Sequence, residues 1–403
     1  MPAPSLFRDR AAPHSGRVSF VELFFDLVFV FAITQLSHLL LSHYTLLGAF
    51  ETLLMLLAVW WVWIYTSWVT NWMNPETGPV RLMMFALMAL GLGLTTSLSQ
   101  AFSSQWHGLI FAGCYVAMQL GRSIFTALCL RGHNRDNHLN FVRISIWLAA
   151  SGVFWIWGGL ADGHTRLILW CLALGIDYIS PRAFFWVPGL GRSQFATWDI
   201  DGEHFAERCG LFVIIALGES ILVMGDSFMH QPQSTDVLIA FGQSFLTCLA
   251  MWWLYFGINA EKASHQIARS ALPGRLAQIA YTYVHILIVA GIILTAVGDE
   301  HMLMHPHTQA SWPIILSILG GPALYLLGNL LFIRVTSGIW PPMHLLGLGV
   351  LSACGVLSPS LMTPLGHVTA LGLGVTSTLV LLAVSLLEPW LYARKAEKGH
   401  GHA

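Results

Sequence analysis

The chain has 403 residues, of which 56% are hydrophobic and only 10% charged, and its formal net charge is −1. This composition is far more apolar than that of an average soluble domain, which excludes that class, and the near-zero charge argues against nucleic acid as a partner. We therefore expect an all-α, polytopic integral membrane protein whose main partner is the lipid bilayer.

Twelve apolar stretches are long enough to cross a bilayer as helices of roughly 20 residues. They are 19–41, 45–70, 81–101, 106–131, 140–160, 164–185, 205–226, 235–259, 276–298, 311–333, 340–358 and 367–392. The first stretch is interpreted as a transmembrane helix rather than a cleavable signal peptide, because it is long enough to span. On this arrangement almost all Lys and Arg residues fall on the side of the two termini, and only Arg166 lies opposite. We therefore expect a cell-membrane protein with both termini in the cytoplasm.

The two halves of the chain are similar, most clearly in the second and eighth helices. Their aromatic residues align as Trp60, Trp61 and Trp63 with Trp252, Trp253 and Tyr255. Six helices is an even number, so the pattern predicts two parallel repeats related by an axis along the membrane normal, as in some transporters. The predicted organisation is a cytoplasmic segment 1–18, a repeat 19–187, a cytoplasmic linker 188–203, a repeat 204–392 and a cytoplasmic tail 393–403.

The first predicted helix places two carboxylates in otherwise apolar sequence. Glu22 and Asp26 lie in the run ELFFDLVFVFAITQLSH. At about 100° per residue they share one face with Ser19 and Ser37, and Phe and Val side chains occupy the opposite face. A carboxylate in a membrane either pairs with a cation or takes up a proton, so both acids are candidates for a proton or ion pathway. The alternative is a structural role, in which they hold loop arginines or cap helix amino termini.

The seventh helix is the partner of the first in the predicted repeat and also carries acids. Glu207 aligns with Glu22, whereas Glu219 lies deeper and has no acidic counterpart. With the cytoplasmic end first, Asp26 is expected in the inner part of helix one and Glu219 in the outer part of helix seven. Such a staggered pair would serve the two ends of one polar path.

Three segments carry a resemblance to a known family. FFDLVFVFAITQLS begins at Phe24, HFAERCGLFVIIALGESI at His204 and YVHILIVAGIILTAVGDE at Tyr283. Together they resemble the bacterial low temperature requirement protein A family, in the family's order and over about residues 17–392. The resemblance implies a multi-pass protein of the bacterial inner membrane linked by its name to growth in the cold, and it implies neither a substrate nor a mechanism.

Three other polar residues lie within predicted spans. Arg122 in helix four stays charged when buried and requires an acid, so we expect an ion pair with Glu219, Asp26 or Asp177, as a structural clamp or as part of a gate. Asp177 is a further candidate for the pathway, because a carboxylate within a membrane span is costly to bury. Histidine ordinarily titrates near neutral pH, so His285 would suit a proton relay, although a histidine among apolar residues also serves as a hydrogen-bonded packing residue.

One predicted external loop, 299–307, reads DEHMLMHPH and contains three weak candidate metal ligands, His301, His305 and His307. No fixed ligand spacing is satisfied there, so neither a metal nor another cofactor is expected. The six cysteines lie inside or at the edges of predicted helices without a CxxC pair, which favours packing roles.

The sequence thus favours a transporter or ion pathway coupled to protonation of intramembrane carboxylates, with a small ion or small molecule as substrate. Two alternatives stay open. One is a structural or sensory membrane protein for cold or stress adaptation, in which buried charges specify packing. The other is an intramembrane lipid-modifying enzyme, although the chain contains no GxSxG, HExxH, phosphate-loop or dinucleotide motif. A homo-oligomer is compatible with all three.

Overall fold

A computed structural model describes residues 5–8, 17–194, 198, 200–257, 259–361 and 368–400. These residues are helical almost throughout, and the β pairing among them consists of isolated bridges such as that between Phe7 and Met73. The all-α prediction is confirmed. The contacts between Cα atoms divide the chain into two compact units, residues 1–208 with 270–277, and residues 209–269 with 278–403.

Unit one is built from the amino-terminal helices. They are α1 (Phe20–Ser42), α2 (Leu46–Trp72), α3 (Gly78–Leu98), α4 (Gln105–Leu130), α5 (Arg135–Leu160), α6 (Gly163–Ile179), the first residues of α7 (Gly202–Met229) and α10 (Pro273–Leu276). Most begin at a residue whose side chain accepts a hydrogen bond from a first-turn amide, as Thr45, Ser104 and Asn134 do for α2, α4 and α5. These caps satisfy backbone donors that have no partner within the helix.

Unit two contains the remainder of α7 and the later helices. They are α8 (Thr235–Phe256), α9 (Ala260–Ala268), a π-helix (Ala277–Val284, whose first residue belongs to unit one), α11 (His285–Met304), α12 (Trp312–Ile318), α13 (Gly320–Ser337), α14 (Pro342–Leu361) and α15 (Ala370–His400). The π-helix runs directly into α11 without an intervening loop.

Ten helices in the described residues are long and apolar enough to cross a membrane, and Pro342–Ser358 is a shorter apolar helix. The α6 helix has 17 residues and is neither one of these ten helices nor counted with the shorter apolar helix. A multi-pass membrane protein is therefore supported, whereas the count of twelve stays a prediction. The internal repeat is also untested, although the boundary at residue 208 lies close to the predicted linker 188–203.

The α1 helix shows how the apolar sequence is divided between lipid and protein. Phe20, Phe24 and Leu27 are 87%, 58% and 55% exposed and follow one another at helical spacing, whereas Glu22 and Asp26 are fully buried. An exposed row of large apolar side chains is the surface that a lipid environment favours. The acids therefore face protein, as the periodicity predicted.

Close helix packing in unit two depends on glycine. A Cβ added at Gly291 of α11 would lie 2.5 Å from the Tyr325 nitrogen, and one added at Gly321 of α13 would lie 2.6 Å from the Thr295 nitrogen. At Gly328 the Ile288 nitrogen would be 2.8 Å away. Small residues that let two backbones approach are a common basis of helix association in membranes.

Candidate functional site

The two carboxylates of α1 meet an arginine of α7 in the interior of unit one. Arg208 donates from one terminal nitrogen to Glu22 Oε1 at 3.0 Å and from the other to Asp26 Oδ1 at 2.7 Å. All three side chains have 0% exposure. Arg208 also contacts the Thr70 hydroxyl at 3.3 Å, and its guanidinium lies 5.7 Å from the centre of the Trp63 ring. One cation thus bridges both acids, a geometry that the forked donors of arginine allow.

A second cation reaches the same site from the amino-terminal segment. Arg8 donates to Glu22 Oε2 at 2.7 Å and to the Thr70 carbonyl at 2.7 Å. Its segment is fixed by a backbone hydrogen bond from the Arg8 amide to the Trp72 carbonyl at 2.9 Å. Glu22 Oε2 also accepts from the Ser19 amide at 2.9 Å, which closes the capping box at the start of α1. Glu22 is therefore both a helix cap and a centre of ion pairing.

The hydrogen bonds around His204 fix its charge and tautomer. The Asp201 amide donates to Asn71 Oδ1 at 2.8 Å, so the Asn71 NH₂ group faces His204 Nδ1 at 3.1 Å. Because the amide nitrogen only donates, Nδ1 must accept, and the ring proton sits on Nε2. That nitrogen lies 3.0 Å from Glu22 Oε1, to which it donates, and 2.9 Å from a terminal nitrogen of Arg8. His204 is thus a neutral donor to Glu22.

The charges of this group, named here the α1–α7 network, sum to zero. Its members are Arg8, Glu22, Asp26, Trp63, Asn71, His204 and Arg208. Two carboxylates face two guanidinium groups, since His204 is neutral. Pairing of this kind is what makes buried charges tolerable in a low dielectric.

Asp26 differs from Glu22 in having one oxygen left over. Its Oδ1 accepts from Trp63 Nε1 at 2.8 Å and from Arg208 at 2.7 Å. Its Oδ2 is buried and has no hydrogen-bond partner among the residues that the structure describes. An unsatisfied buried carboxylate oxygen is costly and marks a position where a proton, a cation or water would bind.

A cavity of about 270 Å³ lies beside the network within unit one. Arg8 lines it together with His133, Asn134 and Asn137, and Thr126 and Leu130 form part of its apolar side. The arginine that pairs with Glu22 thus also forms part of the wall of this cavity.

The predicted ion pair of Arg122 is wrong for the described residues, where no carboxylate lies within 4 Å of its guanidinium. Arg122 donates instead to the Val62 carbonyl, to the Thr66 hydroxyl at 2.9 Å and to Gln119. Neutral acceptors on α2 and α4 therefore take the place of the expected acid.

Asp177 is connected to Arg122 only through two other side chains. Gln119 donates to the Tyr115 hydroxyl at 3.3 Å, and Tyr115 donates to Asp177 Oδ2 at 2.8 Å. The Trp155 indole also donates to that oxygen at 3.0 Å. Arg122 and Asp177 are thus the two ends of one hydrogen-bonded chain inside unit one.

The remaining predicted residues lie apart from the α1–α7 network or outside unit one. Glu207 is exposed, although its neighbour Arg208 is fully buried, and Glu219 is 5% exposed three helical turns further along α7. His285, in unit two, has partners for both ring nitrogens: Nδ1 donates to the Ala280 carbonyl at 2.9 Å, so Nε2 accepts from the Tyr255 hydroxyl at 2.8 Å. A role in a pathway is untested for each of the three.

The predicted external loop 299–307 is wrong at its start, because α11 continues to Met304. Asp299 and His301 therefore lie in its last turns, and the rings of His301 and His305 are 5.5 Å apart. His307 contacts Asp236 at 3.1 Å near the surface. The described residues contain no group of three or more His, Cys, Asp or Glu side chains arranged to hold a metal.

Sequence reasoning missed five members of the network, namely Arg8, Trp63, Asn71, His204 and Arg208. A signal for two of them was present, since His204 and Arg208 are four residues apart and share a helix face. Arg8 could not be found in this way, because its contact depends on a backbone pairing near Trp72.

Comparison with known proteins agrees with the resemblance of the motifs. The family model for the bacterial low temperature requirement A protein (LtrA) matches residues 17–386. A Rhizobium meliloti (strain 1021) protein named Uncharacterized protein RA0937 is 44% identical over 345 residues, which are 85% of this chain and 83% of that protein. No solved structure matches the chain.

Proposed function

The chain belongs to the bacterial low temperature requirement A protein family, and we propose that it is a membrane transporter or ion pathway in which Asp26 takes up and releases a proton. The observation that carries this proposal is the buried Asp26 Oδ2, which has no partner among the described residues although Oδ1 is held by Arg208 and Trp63. When one oxygen of a carboxylate is hydrogen-bonded and the other is not, the second oxygen can accept a proton.

Protonation of Asp26 would change the pairing of Arg208. The neutral acid attracts the guanidinium less than the carboxylate does, so the 2.7 Å contact weakens while the contact of Arg208 with Glu22 remains. Arg208 therefore has two alternative partners of different strength. Elements with two discrete pairings of this kind are the physical basis of gating.

The cavity lined by Arg8 supports a route for water to the network. Arg8 is 11% exposed and touches the fully buried Glu22, so it separates the cavity from the acids by a single side chain. A proton that enters the cavity is thus close to Glu22, which shares Arg208 with Asp26.

We further propose twelve spans, which count α6 and α14, in two parallel six-helix repeats of a bacterial cytoplasmic membrane protein. The distribution of Lys and Arg supports cytoplasmic termini. This orientation puts the cavity near Arg8 on the cytoplasmic side.

Replacing Asp26 by asparagine tests the function. Asn keeps the shape and an oxygen for Trp63 but cannot release a proton. In proteoliposomes with an imposed pH gradient and a clamped potential, we expect proton flux, read with an internal pH dye, to fall by about tenfold or more, equivalent to about 1.4 kcal/mol.

The matched control is Glu76→Gln, which removes a carboxylate from the exposed Glu76–Arg81 pair at 3.0 Å and should leave the flux unchanged. Size-exclusion profiles and tryptophan emission establish that each variant is folded. Equal flux through the parent and a folded Asp26→Asn variant would rule out the proposed role.

A second function, that of a structural membrane protein, is favoured by the zero net charge of the network. The four ionic members come from three parts of unit one and balance one another in charge. In that case the parent would show no flux above protein-free liposomes, and Asp26→Asn would lower stability alone.

A further inference from the structure

Two buried ionisable side chains of unit one lie outside the α1–α7 network. Arg122 on α4 is fully buried, and Asp177 on α6 is 1% exposed. The charges of the α1–α7 network sum to zero by themselves, so that network does not balance the charge of either residue. A buried charge without an opposite charge is costly in a low dielectric, so the two residues call for a physical explanation.

Arg122 donates to α2 and to one side-chain amide of its own helix. Its Nη1 donates to the Val62 carbonyl at 3.2 Å and to the Thr66 hydroxyl at 2.9 Å, and its Nη2 donates to Gln119. Its Nε has no hydrogen-bond partner in the part of the chain that the structure describes. All these acceptors are neutral, so direct contact does not cancel the positive charge.

The guanidinium fixes the orientation of the Gln119 amide. A guanidinium carries donors only, so the Gln119 atom beside it must be the oxygen, and the NH₂ group points the other way. That NH₂ group lies 3.3 Å from the Tyr115 hydroxyl oxygen. Because the amide nitrogen only donates, the Tyr115 oxygen accepts, and the single Tyr115 proton is left for another acceptor.

That acceptor is Asp177. The Tyr115 hydroxyl donates to Oδ2 at 2.8 Å, and the Trp155 indole donates to the same oxygen at 3.0 Å. Two donors on one oxygen stabilise the ionised carboxyl group and leave no room there for a proton. The other oxygen, Oδ1, is buried and without a hydrogen-bond partner among the described residues. A proton on Oδ1 would therefore have no acceptor there.

The groups that face Asp177 from the neighbouring helices are neutral. Tyr115 belongs to α4 and Trp155 to α5, and α2 packs on α6 where the Tyr178 hydroxyl donates to the Leu57 carbonyl at 2.9 Å. Within the described ranges no Lys, Arg or His lies within 4 Å of the Asp177 carboxylate. The cation to which hydrogen bonds connect it is therefore the one at the far end of the chain.

We propose that Arg122 is the remote counter-ion of Asp177, and that Gln119 and Tyr115 transmit its charge through their fixed orientation. In the observed direction every hydrogen bond is donated towards Asp177, which keeps the acid ionised at neutral pH. In the reverse direction a protonated Asp177 would donate to Tyr115, and the Gln119 NH₂ group would face the guanidinium, donor against donor.

The chain is thus a two-state element that connects α2, α4 and α6. Uptake of a proton by Asp177 would release the orientation of Gln119 and Tyr115 and leave Arg122 unbalanced, which would also affect its contacts with α2. Arg122 is a positioning residue in this arrangement, because it acts on Asp177 through other side chains. The inference concerns the charge of Asp177 and does not rest on the proposed function.

The test is infrared spectroscopy of the purified full chain in detergent at neutral pH, with aspartate labelled with ¹³C at the side-chain carboxyl. The C=O stretch of a protonated aspartate is the signal, and each spectrum is compared with that of the same protein carrying Asp177→Asn. We expect no such band from Asp177 in the parent and a band of one protonated aspartate in Arg122→Gln. Arg122→Lys keeps a cation that only donates and should restore the parent spectrum.

Two further variants separate the chain from a general effect of burial. Gln119→Leu interrupts the chain but keeps Arg122, and it should also give the band. Arg143→Gln is the matched control, because Arg143 is buried in unit one and donates to the amide oxygen of Asn140 at 2.8 Å, three residues earlier, as Arg122 does to Gln119. It should leave the Asp177 signal unchanged.

If Arg122→Gln does not fold, Gln119→Leu decides the question. A protonated Asp177 in the parent, or no band in a folded Arg122→Gln variant, would overturn the proposal. A band in Arg122→Gln but none in Gln119→Leu would also overturn it, because the charge would then act without the chain. A purely structural role of Arg122 would change stability and leave the band absent. The measurement uses no flux, so its outcome is separate from that of Asp26→Asn.

Discussion

Replacing Arg208 by glutamine is expected to destabilise the protein by about 3–5 kcal/mol, because two fully buried carboxylates lose the cation that they share. Arg8 remains at Glu22 Oε2, so Asp26 is the group left without a charged partner. The free energy of unfolding is measured by SDS titration in mixed micelles with tryptophan emission as the signal. Adding Asp26→Asn to Arg208→Gln should recover part of the loss, because the double variant is again balanced in charge.

The control for this cycle is Arg143→Gln. Arg143 is also buried in unit one, but it donates to the Leu190 carbonyl and to Asn140 Oδ1 rather than to a carboxylate. Its effect should add to that of Asp26→Asn within about 0.5 kcal/mol. Simple additivity of Arg208→Gln and Asp26→Asn would contradict a direct ion pair.

Two adjacent glycines at the start of α13 should respond in opposite ways to alanine. Gly321→Ala places a Cβ 2.6 Å from the Thr295 nitrogen and 2.7 Å from its Oγ1, so α11 and α13 must separate. We expect a loss of about 2–3 kcal/mol. Gly320 has no atom within 4 Å of its added Cβ, so Gly320→Ala should be neutral or stabilising by up to about 1 kcal/mol.

The same unfolding titration measures both variants. Each serves as the reference for the other, because the change of glycine to alanine alters the helix propensity of α13 by the same amount in both. A loss that is equal for Gly320→Ala and Gly321→Ala would show that backbone conformation, and not the α11–α13 contact, decides the result. A third variant, Gly328→Ala, should resemble Gly321→Ala, since its Cβ would lie 2.8 Å from the Ile288 nitrogen.

The sequence predicted the burial of Glu22, Asp26 and Ser37 and the exposure of Phe20 and Phe24, because that prediction depends only on helical periodicity. It was wrong for Phe25, Val28 and Phe29, which were expected on the opposite face but are buried too. The family was also correct, since its motifs are local in sequence.

The partners of the charged residues could not be predicted, because they are set by contacts distant in sequence. Arg208 pairs with Asp26 across 182 positions, whereas Arg122, which was expected to pair with an acid, donates to neutral groups such as Gln119. A list of buried charges does not determine which of them are neighbours. The end of a helix is also hard to predict when the composition changes gradually. For this reason the loop was predicted to begin at Asp299, whereas α11 continues to Met304.

The π-helix Ala277–Val284 determines which way the side chains of α11 point. A wide turn of this kind accommodates one more residue than an α-turn, and each residue of an α-helix advances the direction of its side chain by about 100°. If the segment lost one residue and became a regular α-helix, Gly291 would turn away from Tyr325. The length of this short segment therefore sets the angular phase of the glycine contact, without taking part in it.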